Sequence, residues 1–152
     1  GVRARIFLSE SPKSKFRNVC PFHSIFSILT KSLATASPIC IVDIGSAVMA
    51  CVEGSGLHII RDLVGHGVGR EVHEEPQVSN LGKPGTGPLL REGMVIAIEP
   101  MLAGGTDSIR TLEDRWTVVT QDGTRSAHFE HTVAVTATGP RILTGAPVET
   151  TV

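Results

Sequence analysis

The feature that most constrains this chain is an unbroken apolar run, residues 94–98 (MVIAI), which ends directly in Glu99 and Pro100. Its β-branched side chains favour a strand packed inside a sheet. Unless that strand ends at the surface, the Glu99 carboxylate lies partly out of water, where an ionised group needs a cation or hydrogen bonds. The sequence therefore predicts a sheet-based fold with a cation bound near Glu99.

Two further segments bring a histidine and a second carboxylate to sheet-forming sequence. In GHGVGR, residues 65–70, glycines alternate around His66, and SAHFEHT, residues 126–132, contains Glu130. One imidazole and two carboxylates suit Zn, Mn, Fe or Co and leave a coordination position for water. Since a bound divalent ion lowers the pKa of its water to about 7, the set His66, Glu99 and Glu130 suggests metal-assisted hydrolysis.

The glycine spacing around His66 argues against two other kinds of site. No G-x-G-x-x-G pattern is present there and no Gly-Lys-Ser/Thr follows, so neither a dinucleotide fingerprint nor a phosphate loop is expected. A loop histidine without a ligand is the alternative for His66 taken alone. His73 is either a hydrogen-bond donor to a scissile amide or its oxyanion, or a surface histidine beside solvated carboxylates.

Apolar spacing predicts one helix before this region and strands within it. Residues 44–52 form an apolar helical face behind a cap at Asp43, and residues 57–61 form a short strand. Strands at 116–120 and 125–129 flank an Asp-Gly turn signal, so we expect them to form a hairpin. By the period of two, three side chains share one face of the second strand: Ser126, His128 and Glu130.

The end of this region continues the alternating pattern. Residues 132–136 form a further strand, and Gly139-Pro140 is expected to turn the chain into residues 141–144. Antiparallel β-structure with little helix is therefore expected beyond residue 57.

Length and composition fit a single globular domain. The chain has 152 residues, 41% of them hydrophobic, and no apolar run long enough to span a membrane. A net charge of −1 and a pI of 6.6 give no argument for nucleic-acid binding. Cys20, Cys40 and Cys51 lack metal-knuckle spacing, so we expect reduced thiols in a reducing compartment, the cytoplasm.

Residues 1–42 differ in composition from residues 43–152, and we expect them to be poorly ordered. The first forty residues contain six Lys/Arg against the single acidic Glu10, whereas residues 41–152 contain eight Lys/Arg against fourteen Asp/Glu. A basic, Ser-rich N-terminus resembles an organellar transit peptide, which makes an organelle the alternative location. The apolar patch at 22–29 equally suits a short core or amphipathic segment.

The stretch from about residue 43 to residue 144 resembles the C-terminal half of a type I methionine aminopeptidase. The matching strings, in that family's order and spacing, are DIGSAVMACVEGSGLHIIRDL, GHGVGREVHEEPQV, LREGMVIAIEPM, IRTLEDRWTVVTQDG and SAHFEHTVAVT. The resemblance implies an α/β (α+β) protein with part of the pita-bread fold, in which a helix packs on a curved antiparallel sheet.

The resemblance also implies roles for individual residues. His66, Glu99 and Glu130 match metal ligands, with Glu130 bridging two ions and Glu99 also transferring protons. His73 matches a histidine that contacts substrate and stabilises the intermediate, and Trp116 lies in a string that helps to wall the methionine pocket. The implied activity is that of a metalloaminopeptidase removing N-terminal methionine from nascent polypeptides, with the ribosome as a further partner.

The chain departs from the family pattern in ways that bear on activity. No stretch before Asp43 resembles the family's N-terminal half, which carries two aspartate ligands and a further catalytic histidine. In addition, Val72 replaces the usual phenylalanine, and His128 stands where glutamine is common. Because three ligands remain for one ion and only Glu130 for the other, we expect one bound ion at most and weak or absent activity.

Two other interpretations follow from these departures. The chain is either a non-catalytic binding module on the same scaffold or a truncated or rearranged gene product. Absence of the aspartates favours the module, whereas retention of the later ligands and His73 opposes it. A partial sheet also exposes edges and apolar surface, so we expect self-association.

Overall fold

The computed structural model describes residues 38–144, and the expected disorder of the N-terminal segment concerns residues that lie almost entirely outside this range. Within the described range, one helix and ten strands follow each other along the chain. Their bounds are α1 Ile41–Val52, β1 His58–Ile59, β2 Gly65–Gly67, β3 Glu74–Val78, β4 Val95–Ile98, β5 Met101–Ala103, β6 Ile109–Thr111, β7 Val118–Thr120, β8 Ser126–His128, β9 His131–Thr136 and β10 Gly139–Ile142.

These strands form three antiparallel sheets. The largest has the order β10–β9–β4–β2–β3, the second has the order β1–β5–β8, and β6 pairs with β7. β4 is the central strand of the largest sheet, and three of its residues, Ile96, Ala97 and Ile98, are almost fully buried. The apolar run thus forms the buried strand that its composition predicted, and the α/β (α+β) class with antiparallel sheets is confirmed.

The helix begins earlier than predicted. Cys40 is its N-cap, so the expectation that Asp43 would be the N-cap is wrong. Asp43 instead lies in the first turn, where its Oδ2 accepts a hydrogen bond from the Cys40 N–H at 2.7 Å and its Oδ1 accepts one from the Gly85 N–H at 2.6 Å. A carboxylate in this position satisfies a free backbone donor and faces the positive end of the helix dipole.

The apolar face of α1 packs against the first and third strands and forms most of one side of the core. Its buried members are Ile41, Ile44, Ala47, Val48 and Val52. They meet buried side chains of β4, β5 and β9: Ile96, Ile98, Leu102 and Val133. No helix of the described residues is long and apolar enough to cross a membrane.

The predicted hairpin around Asp122-Gly123 is wrong. β7 pairs backwards along the chain with β6, whereas β8 pairs with β5 in a different sheet. The Asp-Gly turn itself forms: the Asp122 carboxylate accepts backbone N–H bonds from Thr124 at 3.0 Å and Thr106 at 2.7 Å, and these donors hold the pKa of Asp122 far below its usual range. Ala127 is buried opposite Leu102, and this burial explains why β8 pairs with β5 and not with β7.

The last strand pair also differs in detail from the prediction. β9 and β10 form the expected antiparallel pair, but the turn lies at Ala137 and Thr138, and Gly139-Pro140 opens β10. Proline is tolerated there because β10 is an edge strand of its sheet.

Candidate metal centre

Glu99 and Glu130 lie where two chain segments pass from one sheet to the other. Glu99 follows β4 of the largest sheet, and after Pro100 the chain continues as β5 of the second sheet. In the opposite direction, Phe129 and Glu130 connect β8 of the second sheet to β9 of the largest. Since β4 pairs with β9 and β5 with β8, the two connections run side by side, and the Phe129 N–H donates to the Pro100 carbonyl at 3.2 Å.

The glycines around His66 allow β2 to lie close to both of its neighbours. A Cβ on Gly65 would lie 2.2 Å from the Ala97 carbonyl oxygen, and one on Gly67 would lie 2.3 Å from the Glu75 carbonyl oxygen. Any larger residue at either position would therefore collide with backbone. The tight geometry predicted from the alternating glycines arises from the flanking strands, and it sets His66 opposite Ala97, two residues before Glu99.

The Glu99 carboxylate lies between two imidazoles. Its Oε1 is 3.3 Å from His66 Nε2, and its Oε2 is 3.1 Å from His128 Nε2. All three side chains are more than four-fifths buried, with exposed fractions of 13% for His66, 14% for Glu99 and 18% for His128. In such a low-dielectric position the charge of Glu99 interacts strongly with any cation placed beside it.

The other nitrogen of His66 fixes how this ring faces Glu99. His66 Nδ1 lies 2.9 Å from the Gly67 carbonyl oxygen, and because a carbonyl only accepts, Nδ1 must carry the proton. In the neutral ring Nε2 then presents a lone pair toward a carboxylate oxygen. Two electron-rich atoms face each other without repulsion only if a proton or a metal ion lies between them.

His128 brings a third nitrogen donor into this group. Glu99, His128 and Glu130 each offer a ligand atom, and these atoms lie within 4.8 Å of one another. His128 Nε2 is buried and has no hydrogen-bond partner among the described residues, since its approach to Glu99 lacks hydrogen-bond geometry. The sequence placed His128 on the same strand face as Glu130 but did not identify it as a ligand.

A buried amide holds the backbone of Glu99 in place. Asn80, which is 2% exposed, donates from Nδ2 to the carbonyl oxygens of Leu63 and Glu99, both at 3.3 Å. It thereby ties the loop before β2 to the residue after β4. Its position in a Gly/Pro-rich stretch gave no sequence signal for this function.

The other two predicted site residues lie at different distances from the cluster. The exposed His73 immediately precedes β3, and its ring packs on that of His66 with centroids 4.2 Å apart and planes at 45°. Trp116 precedes β7 of the two-stranded sheet and is 62% exposed. The structure thus joins His73 to the cluster through His66 and leaves the indole of Trp116 open to solvent.

The donor set fits a divalent ion. Ions of this kind hold imidazole and carboxylate donors at about 2.0–2.2 Å, so donor atoms within 4.8 Å of one another can surround one ion after small side-chain movements. The orphaned nitrogen of His128 and the lone pair of His66 both lack the electron acceptor that a metal supplies. Glu99 and Glu130 carry the negative charge needed to balance it.

Comparisons with known proteins agree with this chemistry. The model of metallopeptidase family M24 matches residues 26–137. Methionine aminopeptidase from Clostridium perfringens is 54% identical over 104 residues, which make up 68% of this chain and 42% of that protein. Methionine aminopeptidase 1 from Bacillus subtilis is 51% identical over 102 residues, 67% of this chain and 41% of the relative. The chain thus spans about two fifths of the length of these relatives.

The structure is similar to solved enzymes as well. Methionine aminopeptidase from Thermotoga maritima superposes with a TM-score of 0.69 at 47% identity, over 82% of this chain and 50% of that one. The resemblance predicted from the motif strings is confirmed, together with the fold class it implied. The chain therefore belongs to metallopeptidase family M24 and has part of the pita-bread fold.

Proposed function

We propose that the chain is a metal-dependent aminopeptidase that removes N-terminal methionine from nascent polypeptides. The observation that carries the proposal is that Glu99, His128 and Glu130 offer donor atoms within 4.8 Å of one another, in a chain of a metallopeptidase family. His66 Nε2 lies outside this group but faces the same Glu99 carboxylate at 3.3 Å. The names of the relatives supply the reaction and the substrate. Because the chain spans only about two fifths of their length, their activity is assigned to it by proposal.

We assign the ligands of one ion, Co, Mn, Fe or Zn, to His66, Glu99 and Glu130. The protonated Nδ1 of His66 supports its part in this set, because it leaves Nε2 unprotonated and directed at Glu99. When bound, the ion supplies a Lewis acid for the carbonyl and acidifies water. We expect these donors to hold one such ion.

The remaining steps depend on side chains of the protein. Glu99 has two carboxylate oxygens at the centre of the cluster, so it can hold a proton taken from water and return it to the leaving amine. His73 is exposed and its ring packs on that of His66, which supports a role for His73 as hydrogen-bond donor to the developing oxyanion. The exposed indole of Trp116 offers an aromatic surface for a methionine thioether.

Location and partners follow from the same proposal. Among the described residues both cysteines, Cys40 and Cys51, are free thiols, which supports a reducing compartment such as the cytoplasm or an organelle interior. An enzyme that acts on nascent chains meets them at the ribosome. We also propose that the chain associates with itself.

A pair of carboxamide variants tests the proposal. We expect the wild-type protein to bind about one Mn²⁺ or Co²⁺ and to release methionine slowly from a Met-Ala-type peptide. Glu99→Gln should abolish measurable binding and activity, because it removes the central charge of the cluster. Glu75→Gln, on the exposed side of β3, is the matched control and should leave both unchanged.

Each outcome of this test has a defined meaning. Titration calorimetry measures the stoichiometry and the affinity, and a peptide assay measures the release of methionine. Two tightly bound ions with the full activity of the relatives would contradict the one-ion assignment. The absence of any metal binding would overturn the proposed function and favour the non-catalytic scaffold.

A further inference from the structure

We propose that His128 is a metal ligand, so that the ion held by Glu99 and Glu130 also binds a second imidazole. This inference rests on the proposed metal site, but it does not depend on peptidase activity.

The surroundings of His128 Nε2 supply the first argument. The atom is buried and has no hydrogen-bond partner among the described residues, although buried ring nitrogens are normally paired. Leaving such a group unpaired is unfavourable, because it loses its contact with water and gains no partner. Glu99 Oε2 lies 3.1 Å away without hydrogen-bond geometry, which leaves the Nε2 lone pair available to a cation shared with that oxygen.

The backbone supplies the second argument. His128 is the last residue of β8 and pairs with Met101, the first residue of β5. The chain then passes through Phe129 to Glu130, so the two potential ligands lie two residues apart at the connection between β8 and β9. Side chains with this spacing project to the same side. Pairing of β8 with β5 holds that side toward Glu99.

The ligand geometry supplies the third argument. Within residues 38–144, the group whose donor atoms all lie within 4.8 Å of one another is Glu99, His128 and Glu130. His66 approaches Glu99 from its other oxygen. The Glu99 carboxylate therefore has an imidazole on each side.

A second imidazole changes the metal preference of the site. Imidazole suits Zn, Cu, Fe and Ni, whereas carboxylates and water suit Mg, Ca and Mn. If His128 binds the ion directly, its removal should weaken the binding of Zn²⁺ much more than that of Mn²⁺. A purely structural role, such as orienting Glu99, would weaken the binding of both ions to the same extent.

The experiment compares Zn²⁺ and Mn²⁺ binding by calorimetry in the wild type, His128→Gln and His58→Gln. His58, exposed on β1 of the same sheet, is the matched control. Loss of an outer partner of a metal ligand already costs about 10–100-fold in affinity, so we expect His128→Gln to raise the Zn²⁺ dissociation constant at least about 100-fold. The rise in the Mn²⁺ dissociation constant should be smaller, because imidazole suits Zn²⁺ better than Mn²⁺.

A second measurement needs no variant. In nitrogen NMR of the wild-type protein, the ring Nε2 resonance of His128, assigned through its backbone connectivity, should shift on addition of Zn²⁺ and stop shifting at one equivalent. Circular dichroism establishes that the variants fold, and the NMR result stands even if His128→Gln does not.

The outcomes separate this inference from the proposed function. If His128→Gln binds both ions as tightly as the wild type does, or binds both more weakly by the same factor, the inference is overturned. The proposed site of His66, Glu99 and Glu130 then remains intact. An Nε2 resonance that does not respond to Zn²⁺ also overturns it. A wild-type protein that binds no ion overturns the proposed function and this inference together.

Discussion

At the scale of single residues, the position of Glu99 depends on a neutral side chain as well as on charged ones. The Asn80 amide donates to the Glu99 and Leu63 carbonyls from a fully enclosed position, while its own Oδ1 has no partner among the described residues. The unpaired oxygen offsets part of the stability that the two long hydrogen bonds contribute. The main effect of these hydrogen bonds is therefore to hold the backbone of Glu99, the residue that follows β4, in position.

Replacing this amide should affect stability and the metal site together. We expect Asn80→Ala to lower the free energy of unfolding by about 1–2 kcal/mol, because it removes the amide donor from two partly buried carbonyl groups. We also expect the variant to bind Mn²⁺ more weakly, since Glu99 loses a constraint on its backbone. Urea unfolding and calorimetry measure the two effects.

The exposed amide Gln77 on β3 provides the control for this experiment. Gln77→Ala should change the stability by no more than about 0.5 kcal/mol, as is usual for surface substitutions. If Asn80→Ala were as stable as this control and bound metal normally, Asn80 would have no positioning role.

Part of the candidate site follows from the sequence for identifiable physical reasons. Glu99 was evident because a carboxylate that ends an apolar strand cannot be solvated fully, and the structure leaves its side chain 14% exposed. His128 was overlooked although the period of two placed it beside Glu130. Its significance depends on Glu99, which approaches it through pairing of β5 with β8, a contact that no local pattern encodes.

At the scale of elements, β2 depends on the glycines that flank His66. Gly67→Ala would place a methyl group 2.3 Å from the Glu75 carbonyl oxygen, so β2 and β3 would have to separate. We expect a loss of stability of about 1–3 kcal/mol, the usual cost of forcing extra volume into a packed region. Thermal unfolding followed by circular dichroism measures this loss.

A strand position with free space around it gives the comparison. Ser126→Ala, at an exposed position on β8, should change stability by no more than about 0.5 kcal/mol. Equal stability of Gly67→Ala and Ser126→Ala would show that β2 does not need its close approach to β3.

The same scale shows why the hairpin prediction failed. The Asp-Gly signal is local, and the turn forms with the hydrogen bonds expected of the Asp122 carboxylate. Strand pairing is decided by burial across the sheet, where Ala127 lies opposite the fully buried Leu102. Alternating polarity located β7 and β8 correctly, but it contained no information about which partners would cover them.

At the scale of the whole molecule, the largest sheet has edges that resist pairing with another chain. One edge strand, β3, carries Glu74, Glu75 and Pro76, and the other, β10, carries Pro140 and Arg141. Charged residues and prolines at such edges oppose pairing with a further strand. Association through this sheet is therefore disfavoured, although both of its edge strands lack a further partner strand within residues 38–144.

Exposed apolar side chains lie elsewhere on the molecule. Trp116 is 62% exposed and Val118, on the second strand of the two-stranded sheet, is 39% exposed. Val118 is the first residue of β7, and Trp116 lies two residues before it. β7 pairs with β6 on one side, its other edge has no partner strand among the described residues, and it contains no proline. Exposed apolar side chains beside a strand edge that carries no proline or charge favour contact between two copies of the chain.

We therefore expect the purified chain to self-associate through β7 in a concentration-dependent manner. Sedimentation velocity should show species larger than the monomer, and the double variant Trp116→Ser, Val118→Lys should shift the distribution toward the monomer, because it removes apolar area and adds a charge beside the edge. Leu143→Ser is the control: this side chain is 50% exposed and follows β10, the edge strand that carries Pro140 and Arg141. The variant should leave the distribution unchanged. A monodisperse monomer at all concentrations would contradict self-association, and an equal response to both changes would place the contact outside β7.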